Sequence, residues 1–256
     1  MIRGIYSSAA GMNLQIARMD AVSNNLANAG VPGYKKDRIM AESFPKLIQL
    51  GNKRAVPGGL SSAVIGETNQ GAAIKQVVTD FSPGMLRETG NDTDFALSGP
   101  GFFTLSDPDS GDELYYTRNG NFKLDEEGYL VNGDGYRVMG TGGPIQITEN
   151  KSFTVDEKGN IAIDGEVIDT LAVAAFNDLN TLERAGNSLF RAPGQEPQAV
   201  ENPGIMQRYL EGANVDPLEE TVNMINAVRA YETGQKIIQA QDGLLDLAIN
   251  KVGTVR

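Results

Sequence analysis

The chain has 256 residues, 21% of them charged and 40% hydrophobic, enough apolar material for one large domain or two modest ones and too much for bulk disorder. Its formal net charge of −11 argues against a nucleic-acid partner, because phosphate binding needs clustered Lys and Arg. It has no Cys, His or Trp, which removes thiolate nucleophiles, imidazole bases, Ser-His-Asp triads and Cys/His zinc sites.

Residues 1–34 read as one helix. Ile2, Ile5, Ala9, Met12, Ile16, Met19, Ser23 and Leu26 recur at alternating steps of three and four, the heptad spacing of a seam made for another helix. Two partners fit that seam: the helix's own domain, or another subunit. Asn28-Ala29-Gly30 and then Pro32 offer a stop. Gly11 inside the helix costs about 1 kcal/mol against Ala and leaves room for a close backbone approach. Arg3, Ser7, Ser8, Asn13, Gln15 and Arg18 interrupt any apolar run, so no cleavable signal peptide and no membrane span are expected.

Residues 35–80 lack periodicity and are punctuated by Pro45, Pro57, Gly58, Gly59, Gly66 and Gly71. They read as an extended connector, with a strand candidate at Ile74–Val78. Through residue 54 the chain carries eight basic side chains against three acidic ones, so the acidic balance lies in the remainder. That asymmetry admits attraction between neighbouring copies or two ordinary solvated surfaces.

Residues 81–191 read as a β-rich domain. Phe102-Phe103-Thr104-Leu105, Leu114-Tyr115-Tyr116-Thr117, Phe122-Lys123-Leu124, Tyr129-Leu130-Val131 and Tyr136-Arg137-Val138-Met139 are short runs of β-formers. Asn119-Gly120, Glu127-Gly128, Asp134-Gly135 and Gly142-Gly143 supply turn chemistry between them. Leu171 to Phe176 is a continuous apolar run, predicted to be a buried strand. Residues 192–215 form a return linker.

A second helix is predicted within 216–256. Asp216 suits the N-cap, Pro217 the first helical position and Glu219 a capping box, while Gly253 can close it. Met224, Val228, Tyr231, Ile238, Leu245, Ile249 and Val252 share a face, interrupted by Gln235 and Asp242. The fold class is therefore α+β: a central β domain of hairpins and meanders flanked by terminal helices that pair as a coiled coil.

Two acidic clusters invite chemistry. Asp107 to Glu113 is faintly like a calcium loop but lacks the ligand spacing and reads better as a hairpin tip. Asp125-Glu126-Glu127 precedes Gly128 and reads as a polar turn rather than a glycosidase pair. No catalytic, metal or cofactor signal rises above background.

Three motif groups carry a family resemblance. The first is Ser8-Ala9-Ala10-Gly11-Met12, Asn24-Asn25-Leu26-Ala27-Asn28 and Gly33-Tyr34-Lys35. The second is Gly99-Pro100-Gly101-Phe102-Phe103 with Tyr116-Thr117-Arg118-Asn119-Gly120. The third is Leu210-Glu211, Asn214-Val215, Val222 to Ile225, Arg229-Ala230-Tyr231-Glu232 and Lys236. In that order, over nearly the whole chain, they resemble the flagellar basal-body rod and hook proteins. The chain is most similar to the proximal and distal rod proteins, and is short for a hook protein. Three positions depart from the resembled pattern: Val31 stands for a common Thr, Arg208 for a usual Gly and Ala213 for a common Ser.

The resemblance implies a structural subunit without catalysis or cofactor. It implies delivery by the flagellar type III export apparatus, location in the envelope-spanning rod, and termini paired as a coiled coil lining a hollow shaft. The implied partners are further copies of the chain and other axial proteins, with no small-molecule substrate. Asn24, Asn25 and Asn28 would fix register there, or cap the helix end. Rival readings are a β-rich cell-envelope or peptidoglycan-binding module with a helical hairpin, and a carboxylate-based hydrolase.

Overall fold

The computed structural model describes residues 2–43, 47–50, 54–56, 59–61, 64–68, 71–108, 113–147 and 153–252. The chain is α+β, with two long helices among the described residues and short antiparallel strands between them. It divides into two compact units: Met1–Leu26, Asp37–Val78 and Pro217–Arg256 form one, Ala27–Lys36 and Thr79–Asp216 the other.

In the first unit, α1 spans Ile2–Ala27 and α2 spans Pro217–Leu247, continued by a π-helical turn at Ala248–Val252. Asp216 directly precedes Pro217, as the cap chemistry predicts, and Glu219 and Glu220 stand in the first turn, where the helix dipole favours acids. The expected close at Gly253 lies outside the described residues. The buried and half-buried residues of α2 are Glu220, Met224, Ala227, Tyr231, Gly234, Ile238, Gln241, Leu245 and Ala248. They step by four and three without a break, so this face is a heptad seam. Gly234 is where Met12 crosses: a Cβ there would stand 2.7 Å from Met12 Cγ. A glycine thus lets the thioether of α1 pack onto the α2 backbone. One residue to the side, Val228 and Ile249 point outward and are exposed.

Within residues 35–80, read as an extended connector, the described strands form three nested ladders. Asp37–Ser43 pairs with Ala72–Thr79, Leu47–Leu50 with Val64–Thr68, and Arg54–Val56 with Gly59–Ser61. The strand candidate at Ile74–Val78 falls inside Ala72–Thr79. Periodicity was missing because the outer pair carries half-buried and exposed side chains but no fully buried one.

In the second unit, a ten-stranded sheet runs in the order Lys123–Leu124, Leu130–Val131, Arg137–Gly140, Phe102–Ser106, Leu114–Thr117, Leu189–Arg191, Glu183–Gly186, with three short strands beside that path. Its central strands are buried on both faces, and neighbouring residues serve different cores. Phe103, Tyr115, Val173 and Leu189 join one cluster; Phe102, Tyr116, Ala174 and Phe190 join the other. This is why the strands read as continuous apolar pairs rather than as alternation. The apolar run ending at Phe176 supplies the predicted strand, Val173–Ala175, and the structure pairs it with Phe102-Phe103.

The acidic clusters serve turns. Asp125 Oδ1 accepts from the Glu127 and Tyr129 amides at 3.0 and 2.7 Å, and Glu127 pairs with Arg137 at 3.1 Å. Asn132 and Asp156 repeat that pattern before Gly135 and Gly159. Residues 109–112 of the calcium-like loop lie outside the described residues, while Glu113 at its edge pairs with Arg191 at 2.9 Å. Gly120 does not take a left-handed turn conformation; a Cβ there would overlap the Phe95 carbonyl oxygen, so its role is close approach.

Arg208 has φ +69°, one of four non-glycine residues with positive φ among the described residues. That conformation costs an L-residue about 1–2 kcal/mol, and explains why a glycine suits the position. The residue is held by its amide to the Asp94 carbonyl at 2.8 Å and by its side chain to Asp92 at 2.7 Å. Arg208→Gly relieves the strain and loses an exposed ion pair worth about 0–1 kcal/mol. The expected result is unchanged or slightly raised stability in denaturant titration.

Candidate functional site

Motif residues from distant parts of the sequence, Lys35 and Glu211 among them at 176 positions apart, meet at one point of the second unit. Its centre is Glu211, 1% exposed, at the end of the strand Tyr209–Glu211. Oε1 accepts from Lys35 Nζ at 2.5 Å and from the Gly84 amide at 2.9 Å; Oε2 faces Arg118 Nη1 at 3.4 Å. The Glu211 carbonyl accepts from the Gly33 amide at 2.7 Å. Lys35 Nζ also donates to the Ser82 carbonyl at 2.8 Å. Burial pulls the Lys35 ammonium below its ordinary range, and the Glu211 carboxylate pulls the other way. The Arg118 guanidinium is lowered by burial in the same manner. Two buried cations therefore share one buried carboxylate.

Around this centre the strands leading in and out are tied together. Asn214 Oδ1 accepts from the Lys36 amide at 2.8 Å, and Asn214 Nδ2 donates to the Asp80 carbonyl at 2.7 Å. Arg184 donates to the Lys35 carbonyl at 2.7 Å and lies over the rings of Tyr34 and Phe190 at 4.9 and 5.5 Å. Gly33, not Gly30, takes the left-handed conformation after α1, with φ +66°. Thr117 donates to the Ser188 carbonyl at 2.8 Å and Val215 is buried. Gly101 has φ +136° and packs against Val173. The arrangement has the chemistry of a clasp. Its carboxylate is fully engaged by cations and an amide, which leaves no free base.

In the first unit, Asn25 makes the equivalent polar anchor. Its Oδ1 accepts from the Asp37 amide at 2.9 Å, and its Nδ2 reaches the Asp37 carbonyl at 3.0 Å and Glu220 Oε2 at 3.4 Å. Asn25 is buried, Asn28 half-buried and Asn24 exposed.

The helical residues singled out for assembly divide by burial. Ile5, Ala9, Met12 and Met19 of α1 and Met224, Tyr231, Ile238 and Leu245 of α2 are half-buried. Ile16, Leu26, Val228 and Ile249 are exposed, as are Arg229, Ala230 and Glu232; the Ile2 side chain lies outside the described set. Leu14, which periodicity did not select, is the buried apolar residue among the described side chains of α1. A second apolar face of α2 also escaped the sequence reading. Leu218, Val222 and Ile225 are exposed opposite the seam in the first turns; Ile237, Ala240, Leu244 and Leu247 are exposed along a separate line, roughly 100° round the helix from the seam. The latter four keep steps of three and four.

Comparison with known proteins bears on the whole chain. Residues 5–35 match the family model described as flagella basal body rod protein, residues 96–163 the flagellar hook protein FlgE/F/G D1 domain, and residues 206–251 the flagellar basal body rod FlgEFG protein C-terminal. The chain is 32% identical to the flagellar basal-body rod protein FlgG of Bacillus subtilis, over 98% of this chain and 99% of that one. It is 33% identical to FlgG of Buchnera aphidicola subsp. Schizaphis graminum, over 96% and 98%. It is 30% identical to FlgF of Caulobacter vibrioides, over 93% and 92%.

Proposed function

Given that the chain belongs to the flagellar basal-body rod protein family, we propose that it is a self-associating rod subunit whose terminal helices pack against those of neighbouring copies. It is a structural protein of the basal body and assembles with other axial flagellar proteins. The finer reading is that it leaves the cytoplasm through the flagellar export apparatus, builds a hollow, envelope-spanning shaft between motor and hook, and is needed for motility. A head-to-tail interface that does not close produces such an open helical filament.

The observation that carries self-association is the second apolar face of α2. An isolated surface helix needs one apolar stripe; α2 has a second, and in the single chain its Ile237, Leu244 and Leu247 remain 43–55% exposed. Gly11 agrees with this reading. Among the described residues a Cβ there would meet nothing within 4 Å, so none of them requires a glycine at this helix-interior position, where it costs about 1 kcal/mol.

The test is an Ile237→Asp, Leu244→Asp double variant. Both side chains are exposed in the single chain, so the thermal transition of the β-rich unit is expected to stay where it is. The variant is expected to remain monomeric in sedimentation, and a strain carrying it to lose motility, with basal bodies that stop short of the hook in electron micrographs. Normal motility with complete basal bodies overturns the proposal.

A further inference from the structure

Beside the clasp, the second unit holds a pocket of about 270 Å³ that self-association by the helices does not use. Its walls are apolar and largely aromatic: Phe81, Pro100, Phe102, Phe176 and Leu179. Arg118 also lines it, 8% exposed, with its guanidinium carbon 5.4 Å from the Phe102 ring centre. Arg118 is held at one end only. Nη1 makes long contacts to Glu211 at 3.4 Å and to the Leu97 carbonyl at 3.5 Å, while the buried Nε meets no acceptor. An unsatisfied buried N–H is costly, and a buried charge more so. The Glu211 carboxylate that would compensate it already holds Lys35 at 2.5 Å. An incompletely paired guanidinium thus lines an apolar cleft. An occupant matching both features brings a carboxylate on an apolar stem.

We infer that this pocket receives an acidic side chain, flanked by apolar residues, from a neighbouring copy of the chain. Charge complementarity selects that occupant. The chain carries 33 acidic against 22 basic side chains, so a neighbouring copy presents carboxylates at high local concentration. The backbone that shapes the cleft is fixed independently of any occupant. Gly101 adopts φ +136°, and a Cβ on Gly99 would stand 2.9 Å from the Pro203 carbonyl oxygen. The family motif Gly99-Pro100-Gly101-Phe102 with Arg118 then has a surface role besides its packing role. The inference rests on the self-association proposed above.

The absence of Cys from the sequence provides the test. Full-length chain with Leu179→Cys carries a single maleimide-linked benzophenone in the pocket wall and is photolysed after polymerisation. A cross-link to a second copy is expected, at a peptide containing Asp or Glu beside an apolar residue. Separately, Leu179→Trp fills the cleft without touching the clasp. It is expected to raise the critical concentration for polymerisation about tenfold while leaving the melting temperature unchanged. Changing the cross-linked acid to its amide is expected to raise it similarly. Cross-links only within one chain, or to a peptide lacking an acid, overturn the inference, as does an unchanged critical concentration for Leu179→Trp. If the unaltered chain does not polymerise, self-association fails and the inference fails with it. If it polymerises and only the pocket variants behave normally, the inference alone fails.

Discussion

Glu211→Gln is expected to destabilise the β-rich unit by about 3–5 kcal/mol, the usual cost of removing one partner from a buried ion pair. The amide fills the same volume and can still accept from the Gly84 amide, so packing is not the cause. What is lost is the carboxylate charge that contacts both Lys35 and Arg118, each buried. For a domain of this size each kcal/mol moves the melting temperature by about 2–4 °C, so a drop on the order of 10 °C is the readout. Adding Lys35→Met to Glu211→Gln removes one of the two stranded cations and is expected to recover part of the loss. The double-mutant cycle then isolates the Lys35–Glu211 coupling. A Glu211→Gln protein that melts within 2 °C of the parent would show that the carboxylate does not carry the clasp.

Gly33→Ala is the second large effect. The residue has φ +66°, where a Cβ costs about 1–2 kcal/mol by itself. A Cβ there would also overlap the peptide between Arg118 and Asn119, which is backbone and cannot rotate aside. The Gly33 amide is meanwhile bonded to the Glu211 carbonyl, so moving the loop breaks the clasp from its other side. The expected loss is more than about 2 kcal/mol, in the range of other strained-backbone and overpacking substitutions. Gly30→Ala is the control: Gly30 lacks a positive φ and has open space around it, so its variant is expected to match the parent in denaturant titration.

Much of the fold is legible in the sequence, and the exceptions have a common cause. Asp216-Pro217 marks the start of α2 because capping chemistry is local, and the Phe102-Phe103 run marks a doubly buried strand because both faces demand apolar residues. The α2 seam is harder to read. Alternate seam positions include Ala227 and Gly234, small enough for close approach, and the polar Gln241, which packs over Gly4, while the larger Val228 and Ile249 beside them look more like core. The 37–79 ladders are invisible to periodicity because none of the residues of their outer pair is fully buried. Lys35, Arg118 and Glu211 are legible only as members of motifs. Scattered along the chain, three charges look like solvated surface until the fold brings them together.

The span of the clasp sets an order of events. Lys35 and Glu211 lie 176 residues apart, and closure over that distance is among the last and slowest contacts a folding chain makes. A chain threaded out amino end first would lack Glu211, the ion-pair partner of Lys35, until more than four-fifths of it had emerged. Until then the ammonium stays hydrated and the sheet lacks its final stitch. On the export route proposed above, such a chain would stay pliant in transit and lock only after nearly all of it had arrived.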